Sequence, residues 1–187
     1  AELASLGFRD LRVLSRGVDT RHFSAGHRSP ELRAAWGAGP GDPVVIHVGR
    51  MAAEKNYELL FRAYAAMYAA NPRLRFVLAG DGPLKARLMR ELPAAIFAGF
   101  FSRDEIGRYY ASADIYIHAS LTETFGNVLT EAMASGLAVA GFDYAAARQF
   151  VTDGENGLSV PCDQPEALIA AAVKLARAEA LRERLRR

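Results

Sequence analysis

At 187 residues the chain is large enough for one compact domain and too short for two ordinary ones. With 51% hydrophobic and 24% charged residues it can build a sizeable core, and it lacks the composition of a disordered segment. A net charge of +2 and a single cysteine, Cys162, argue against the dense basic stripe of a nucleic-acid binder, an internal disulfide framework and a multi-cysteine metal site.

The chain opens on Ala1 in residues that read as part of a helix, the texture of a domain excised from a longer protein. Nothing there resembles a signal peptide, and no apolar run approaches the length of a membrane span. Residues 20–43 are rich in Gly, Pro and Arg and read as a connector with one short helix at Pro30–Trp36. The first strand follows at Val44–Val48. A helix over Tyr57–Ala70 is predicted by Leu60, Ala63, Tyr64 and Met67 at helical spacing, with Asn56 as its cap.

The next strand is Leu74–Ala79, after which Gly80-Asp81-Gly82-Pro83 reads as a tight turn with Pro83 opening a helix. Further strands are predicted at Ala95–Ala98, Asp114–Ala119, Leu137–Ala140 and Gly157–Val160, with a helix from Asn127 to Ser135 between the second and third of these. A last helix runs from Pro165 into the tail, where arginines and glutamates alternate as on a solvated face. Short, continuously apolar strands bounded by glycine suit a parallel sheet buried on both faces. The alternation predicts an α/β fold: a doubly wound, Rossmann-like parallel sheet of about six strands with helices on both faces. Such sheets bind ligands in the crevice at the carboxyl ends of their strands, so the loops after strands are where chemistry is expected.

Two of those loops carry charge. After the first strand comes VGRMAAEKN, residues 48–56, in which Gly49 permits a sharp exit and Arg50 and Lys55 project just before a helix. A forked guanidinium and a mobile ammonium together suit a diphosphate, although two loop cations taken alone are ordinary surface residues. After the Asp114–Ala119 strand comes ETFGNVLTEAMASG, residues 123–136. Here Gly126 lets backbone approach a ligand, and the N–H groups at Asn127 and Val128 form an anion site at a helix start. Glu131, one turn into the helix, can accept from both hydroxyls of a ribose, and Glu123 can hold sugar hydroxyls or stabilise charge at an anomeric carbon. Acidic residues are favoured in the first turns of any helix, which accounts for Glu131, and either glutamate taken alone is better read as structural; the combination with a glycine-opened helix start on one sheet edge favours a site.

Other features read more plainly. Asp81 is turn chemistry and His47 a core residue, whereas His118, ending a strand at the ligand edge, is balanced between core and function. No nucleophilic triad is apparent, no histidine–carboxylate cluster has metal-ligand spacing, and the first strand is not followed by G-x-G-x-x-G.

Taken together these motifs resemble the group 1 (family 4) retaining glycosyltransferases, in their C-terminal, donor-binding domain, one half of a GT-B fold. The resemblance rests on VGRMAAEKN, GDGP, ETFGNVLTEAMASG and DGENGLSV, with RGVDTRHF near the start similar to the family's interdomain stretch. It implies that residues 1–43 are the linker and domain start, that 44–187 bind a nucleotide sugar, and that an acceptor-binding N-terminal domain is absent from the chain. It implies a donor site of Gly49, Arg50, Lys55, Phe101, Glu123, Phe125, Gly126, Asn127, Val128 and Glu131. Arg50 and Lys55 would contact the diphosphate, Glu131 the ribose, Glu123 the transferred sugar, and the backbone near Phe101 the base; Glu123, Arg50 and Lys55 are the expected catalytic residues.

The donor would be UDP-, GDP- or ADP-linked, with no metal or other cofactor. Mannosyltransferase-like members are nearest in texture and suggest GDP-mannose, although FDYAAARQFV stands where many relatives carry a glycine pair. The expected location is cytoplasmic, with membrane contact, where present, on the inner face through the absent domain. The isolated chain is expected to bind donor without appreciable transfer. Two other readings remain: a sugar-nucleotide epimerase of the same fold, and a sugar-nucleotide-binding module without turnover.

Overall fold

A computed structural model describes residues 5–11, 16–120, 122–123 and 125–186; the opening residues 1–4, read above as helical, lie outside it. The apolar runs become six strands: β1 Val44–Val48, β2 Arg75–Ala79, β3 Ile96–Gly99, β4 Ile115–His118, β5 Ala138–Phe142 and β6 Leu158–Val160. They form one sheet in the order β3-β2-β1-β4-β5-β6, every pairing parallel. The chain winds outward from β1 through β2 to β3, then crosses back to place β4 on the other side of β1. That reversal opens a crevice at the carboxyl ends of β1 and β4, where doubly wound sheets bind ligands.

The helices are α1 Pro30–Ala35, α2 Tyr57–Ala70, α3 Lys85–Glu91, α4 Arg103–Ser112, α5 Asn127–Ala134, α6 Ala145–Phe150, α7 Pro165–Arg177 and α8 Glu179–Leu185. They enclose the sheet in two apolar layers. Val45, Ile115 and Ile117 pack with Leu60 and Met67 of α2 and Leu168 and Leu175 of α7. Val44, Ile46, Tyr116 and Val139 pack on the other side with Leu129 of α5 and Tyr110 of α4. Phe23 and Trp36, from the stretch read as a connector, are buried in this second layer. Strand side chains alternate between the faces, so continuously apolar strands supply both layers at once.

Helix ends show where local signals were overridden. Ser29 caps α1 by accepting from the Leu32 N–H at 3.2 Å, and Pro30 occupies the first turn, where no N–H is needed. Asn56, expected to cap α2 with its side chain, instead adopts a left-handed conformation (φ 54°) and makes no side-chain cap. A 3-10 turn over Ala53–Lys55 delivers the chain to α2, and Asn56 closes that turn through its own N–H. α3 starts two residues after Pro83, and the Leu84 N–H, which has no acceptor within the helix, donates to the Met51 carbonyl at 3.0 Å. The terminal helix breaks at the extended Ala178 and folds back as α8, whose Arg182 donates to the Leu175 carbonyl at 2.7 Å.

Candidate donor site at the carboxyl edge of the sheet

The loops after β1 and β2 are locked together through backbone. Gly49 N–H donates to Ala79 O at 3.0 Å, and Met51 N–H to Asp81 O at 2.8 Å. The approach is close enough that a Cβ on Gly80 would lie 2.0 Å from the Gly49 carbonyl oxygen, so only glycine fits. Asp81 bonds the Gly82 N–H and Lys85, which bears out its reading as turn chemistry.

Beside these loops opens a cleft of about 570 Å³ lined by Val48, Gly49, Arg50, Gly80, Phe101 and Ile106, with Phe100 at its margin. Its wall is firm: the Phe101 ring lies 3.8 Å from that of Tyr109, centroid to centroid. Phe100 is 83% exposed and was not singled out from the sequence, although two phenylalanines directly after a strand at the ligand edge were a visible signal.

The two cations of the first loop have separate fates. Arg50 projects outward, 70% exposed, and pairs with Glu54 four residues on. Lys55 turns inward, and its Nζ lies 2.6 Å from Glu123 Oε1, with both side chains largely shielded. This contact joins residues 68 apart and brings the two charged loops together. Burial pushes the Glu123 carboxyl up. Hydrogen bonds from Lys55 and Ser120, with the neighbouring positive charge, outweigh burial and hold it below its ordinary value.

Past Glu123 the chain enters α5 through Gly126, whose φ of 92° is natural only for glycine and which provides no side-chain cap. Asn127 and Val128 form the first turn, whose N–H groups have no partner within the helix. Glu131, one turn further, accepts from the Tyr110 hydroxyl at 3.1 Å. Burial first, then the charges of Glu123 and Glu131, keep the Tyr116 hydroxyl protonated, so both carboxylates act on one point beneath the crevice. Among the described residues, no three His, Cys, Asp or Glu side chains converge as metal ligands would.

The FDYAAARQFV departure also has a structural place. Tyr144 donates from its hydroxyl to the Glu123 carbonyl at 3.1 Å, and the Ala146 N–H donates to the Phe125 carbonyl at 2.8 Å. Phe125 further packs edge-on against Phe150 of α6. The turn after β5 therefore holds Glu123 and Phe125 through their backbone carbonyls. Ten residues expected at the site thus fall into three neighbouring groups: Gly49, Arg50 and Phe101 on the cleft, Lys55 with Glu123, and Phe125, Gly126, Asn127, Val128 and Glu131 along the start of α5.

A sequence model of "Glycosyl transferases group 1" matches residues 28–187. The chain belongs to this family. It is 37% identical to a GDP-mannose-dependent alpha-mannosyltransferase of Mycobacterium tuberculosis (strain CDC 1551 / Oshkosh), over 88% of this chain and 42% of that protein. It is 41% identical to a sulfoquinovosyl transferase of Arabidopsis thaliana, over 69% of this chain and 25% of that one. This group 1 glycosyl transferase chain therefore spans less than half the length of these relatives. Its fold matches sucrose-phosphate synthase from Thermosynechococcus elongatus with a TM-score of 0.78 and 25% identity, over 94% of this chain and 46% of that one. It also matches the C-terminal domain of a glycosyl transferase group 1 family protein from Francisella tularensis (TM-score 0.74, 23% identity, 91% and 93% covered). The Rossmann-like sheet is thus a fold that the chain shares with GT-B glycosyltransferases. Among the described residues, no helix is long and apolar enough to cross a membrane.

Proposed function

We propose that the chain is the sugar-nucleotide-binding half of a retaining hexosyltransferase, in which residues 1–43 lead from an acceptor-binding domain and residues 44–187 hold the donor. The observation that carries this reading is the Lys55–Glu123 pair at the mouth of the β1–β4 crevice, beside the start of α5. A shielded ammonium needs an anionic partner, and a donor diphosphate is a doubly charged alternative to one carboxylate. Lys55, the exposed Arg50 fork and the N–H groups of Asn127 and Val128 supply enough positive character for that diphosphate without a metal or other cofactor.

With Lys55 engaged by phosphate, Glu123 is released toward the transferred sugar, where a carboxylate stabilises an oxocarbenium-like centre. Glu131 takes the ribose, and the apolar cleft beside Phe101 takes the base. GDP-mannose is the first choice of donor, because several relatives of similar identity are GDP-mannose-dependent mannosyltransferases. Half a crevice neither excludes water nor positions an acceptor, so the chain alone binds donor and transfers little sugar. The full protein acts in the cytoplasm, with any membrane contact made by its other domain.

Calorimetric titration with GDP, UDP, ADP and GDP-mannose, with and without Mg²⁺, tests this. The expected result is metal-independent binding of one nucleotide that weakens at least tenfold in Lys55→Ala and Glu131→Ala. Binding that survives both substitutions, or that requires Mg²⁺, would overturn the assignment of these residues.

A further inference from the structure

His118 ends β4 directly beneath the entrance to α5 and is 2% exposed. Its Nδ1 lies 3.4 Å from the Tyr116 hydroxyl, whereas its Nε2 is closed off from solvent and has no hydrogen-bond partner. In the tautomer whose Nδ1 accepts from the Tyr116 hydroxyl, the ring proton sits on Nε2 and has no acceptor. A buried donor without an acceptor is costly, and such groups are rare enough in folded chains to require an account.

The direction of that donor supplies one. A Cβ placed on Gly126 would lie 3.5 Å from His118 Nε2, so only the bare backbone of the Gly126 turn separates the imidazole from the helix mouth. α5 has eight residues and no side-chain cap at that turn. On β5, a Cβ placed on Gly141 would lie 3.0 Å from His118 Cβ, so the neighbouring strand leaves little space beside the histidine. Lys55 and Glu123 are the charged groups near it.

We propose that His118 is a further donor-binding residue: when the Gly126 turn shifts on ligand entry, its Nε2–H donates a hydrogen bond to a diphosphate oxygen seated at the start of α5. The inference rests on the donor-binding reading and adds an uncharged donor to the cations and backbone amides already named there. A neutral N–H placed beneath the leaving diphosphate holds it by direction, where Lys55 and Arg50 hold it by charge.

The test follows the histidine ring itself in the parent 187-residue chain, labelled with ¹⁵N at imidazole and titrated with GDP-mannose, whose diester diphosphate does not titrate near neutrality. Binding is expected to shift the His118 Nε2 resonance and slow exchange of its proton, while Nδ1 keeps its character. His118→Phe should weaken GDP-mannose about tenfold with an unchanged melting temperature, whereas His118→Gln, which retains a donor near the same place, should stay within about threefold of the parent. Normal binding with an unmoved His118 resonance would overturn the inference alone and leave the donor-binding reading standing. Absence of any nucleotide binding by the parent chain would overturn both. Should His118→Phe fail to fold, the ring resonances of the parent decide.

Discussion

The two ends of β4 hold the two charged clusters of the molecule, and they are built in opposite ways. At the amino end, Asp114 is closed on every side. Its Oδ1 accepts from Arg28 and Arg186, each at 2.7 Å, and its Oδ2 from Arg33 and the Val44 N–H, each at 2.8 Å. Other donors of these arginines reach the carbonyls of Ala113, Ser112, Asp42 and Gly136, and Arg186 Nη1 reaches Glu183 Oε1 at 2.8 Å. The carboxyl end is open: one ion pair joins Lys55 to Glu123, while both nitrogens of His47, Nε2 of His118 and the Tyr57 hydroxyl are buried without partners. A fully satisfied network fixes a fold, whereas buried polar atoms without partners call for an account, and among the described residues all of these but Ser135 Oγ belong to His47, Tyr57 and His118.

The largest effect expected from this contrast comes from Asp114→Ala. Burial raises the Asp114 carboxyl, and Arg28, Arg33 and Arg186 together hold it below its ordinary value, so the carboxylate is the shared counter-charge for all three. Removing it strands Arg33, which is itself buried, and detaches residues 28–33 and the segment after α8 from the base of the sheet. Denaturant unfolding should show a loss of about 3–5 kcal/mol. A much smaller loss would mean that the amino-end cluster is not the structural tie described. Any change in nucleotide affinity should follow only from unfolding.

Acid should separate the two ends next. Burial, helped by His118 and Lys55, lowers His47 to about 3, and burial lowers His118 to about 4 against the opposing charge of Glu123. Both folded values lie below that of the unfolded chain, about 6.5, so the unfolded chain takes up protons first as pH falls. Stability is therefore full above about pH 7 and lost progressively from about pH 6.5 downward, by about 2 kcal/mol per histidine at pH 5. Asp114 and Glu123 are depressed carboxylates, and their contribution disappears only below the ordinary carboxylate range. Chemical denaturation between pH 7 and 5 should find this slope, and His47→Leu should remove about half of it. A flat profile would show that the histidines are not held neutral by burial.

How much of this contrast could be read from sequence depended on distance along the chain. The strands were legible because buried parallel strands are short apolar runs bounded by glycine, and Val44–Val48 and Tyr57–Ala70 have the predicted limits. The loops carrying Arg50, Lys55, Glu123 and Gly126 were legible because strand-to-helix turns on one edge bear the ligand in such sheets. The Asp114 network was not, because its arginine partners lie more than 70 residues away and meet only through sheet register and the fold-back of α8. The fold-back itself leaves no signal: Ala178 breaks the terminal helix without glycine or proline. Asn56 shows the reverse error, a good capping residue whose place was taken by the 3-10 turn before it. The inward turn of Lys55 was equally hidden, since both cations of that loop look alike until Glu123 arrives from β4.

That difference between the two cations gives the smallest stability effect and the sharpest functional one. Arg50 is mostly exposed and, among the described residues, pairs with Glu54, a surface contact of the kind that contributes little, so Arg50→Ala should change unfolding free energy by less than about 0.5 kcal/mol. On the donor-binding reading, the same substitution removes the guanidinium fork and also leaves Glu54 uncompensated near an incoming diphosphate. Nucleotide affinity should therefore fall more than loss of one contact requires, about tenfold or more, and the loss should shrink at high salt. The Glu54→Gln substitution on the Arg50→Ala background isolates the repulsive part: it should recover some of the affinity while adding no contact to the ligand. Recovery would establish that Glu54 holds Arg50 in reserve at the crevice rim. With no recovery and full affinity in Arg50→Ala, Lys55 and the start of α5 alone would carry the diphosphate.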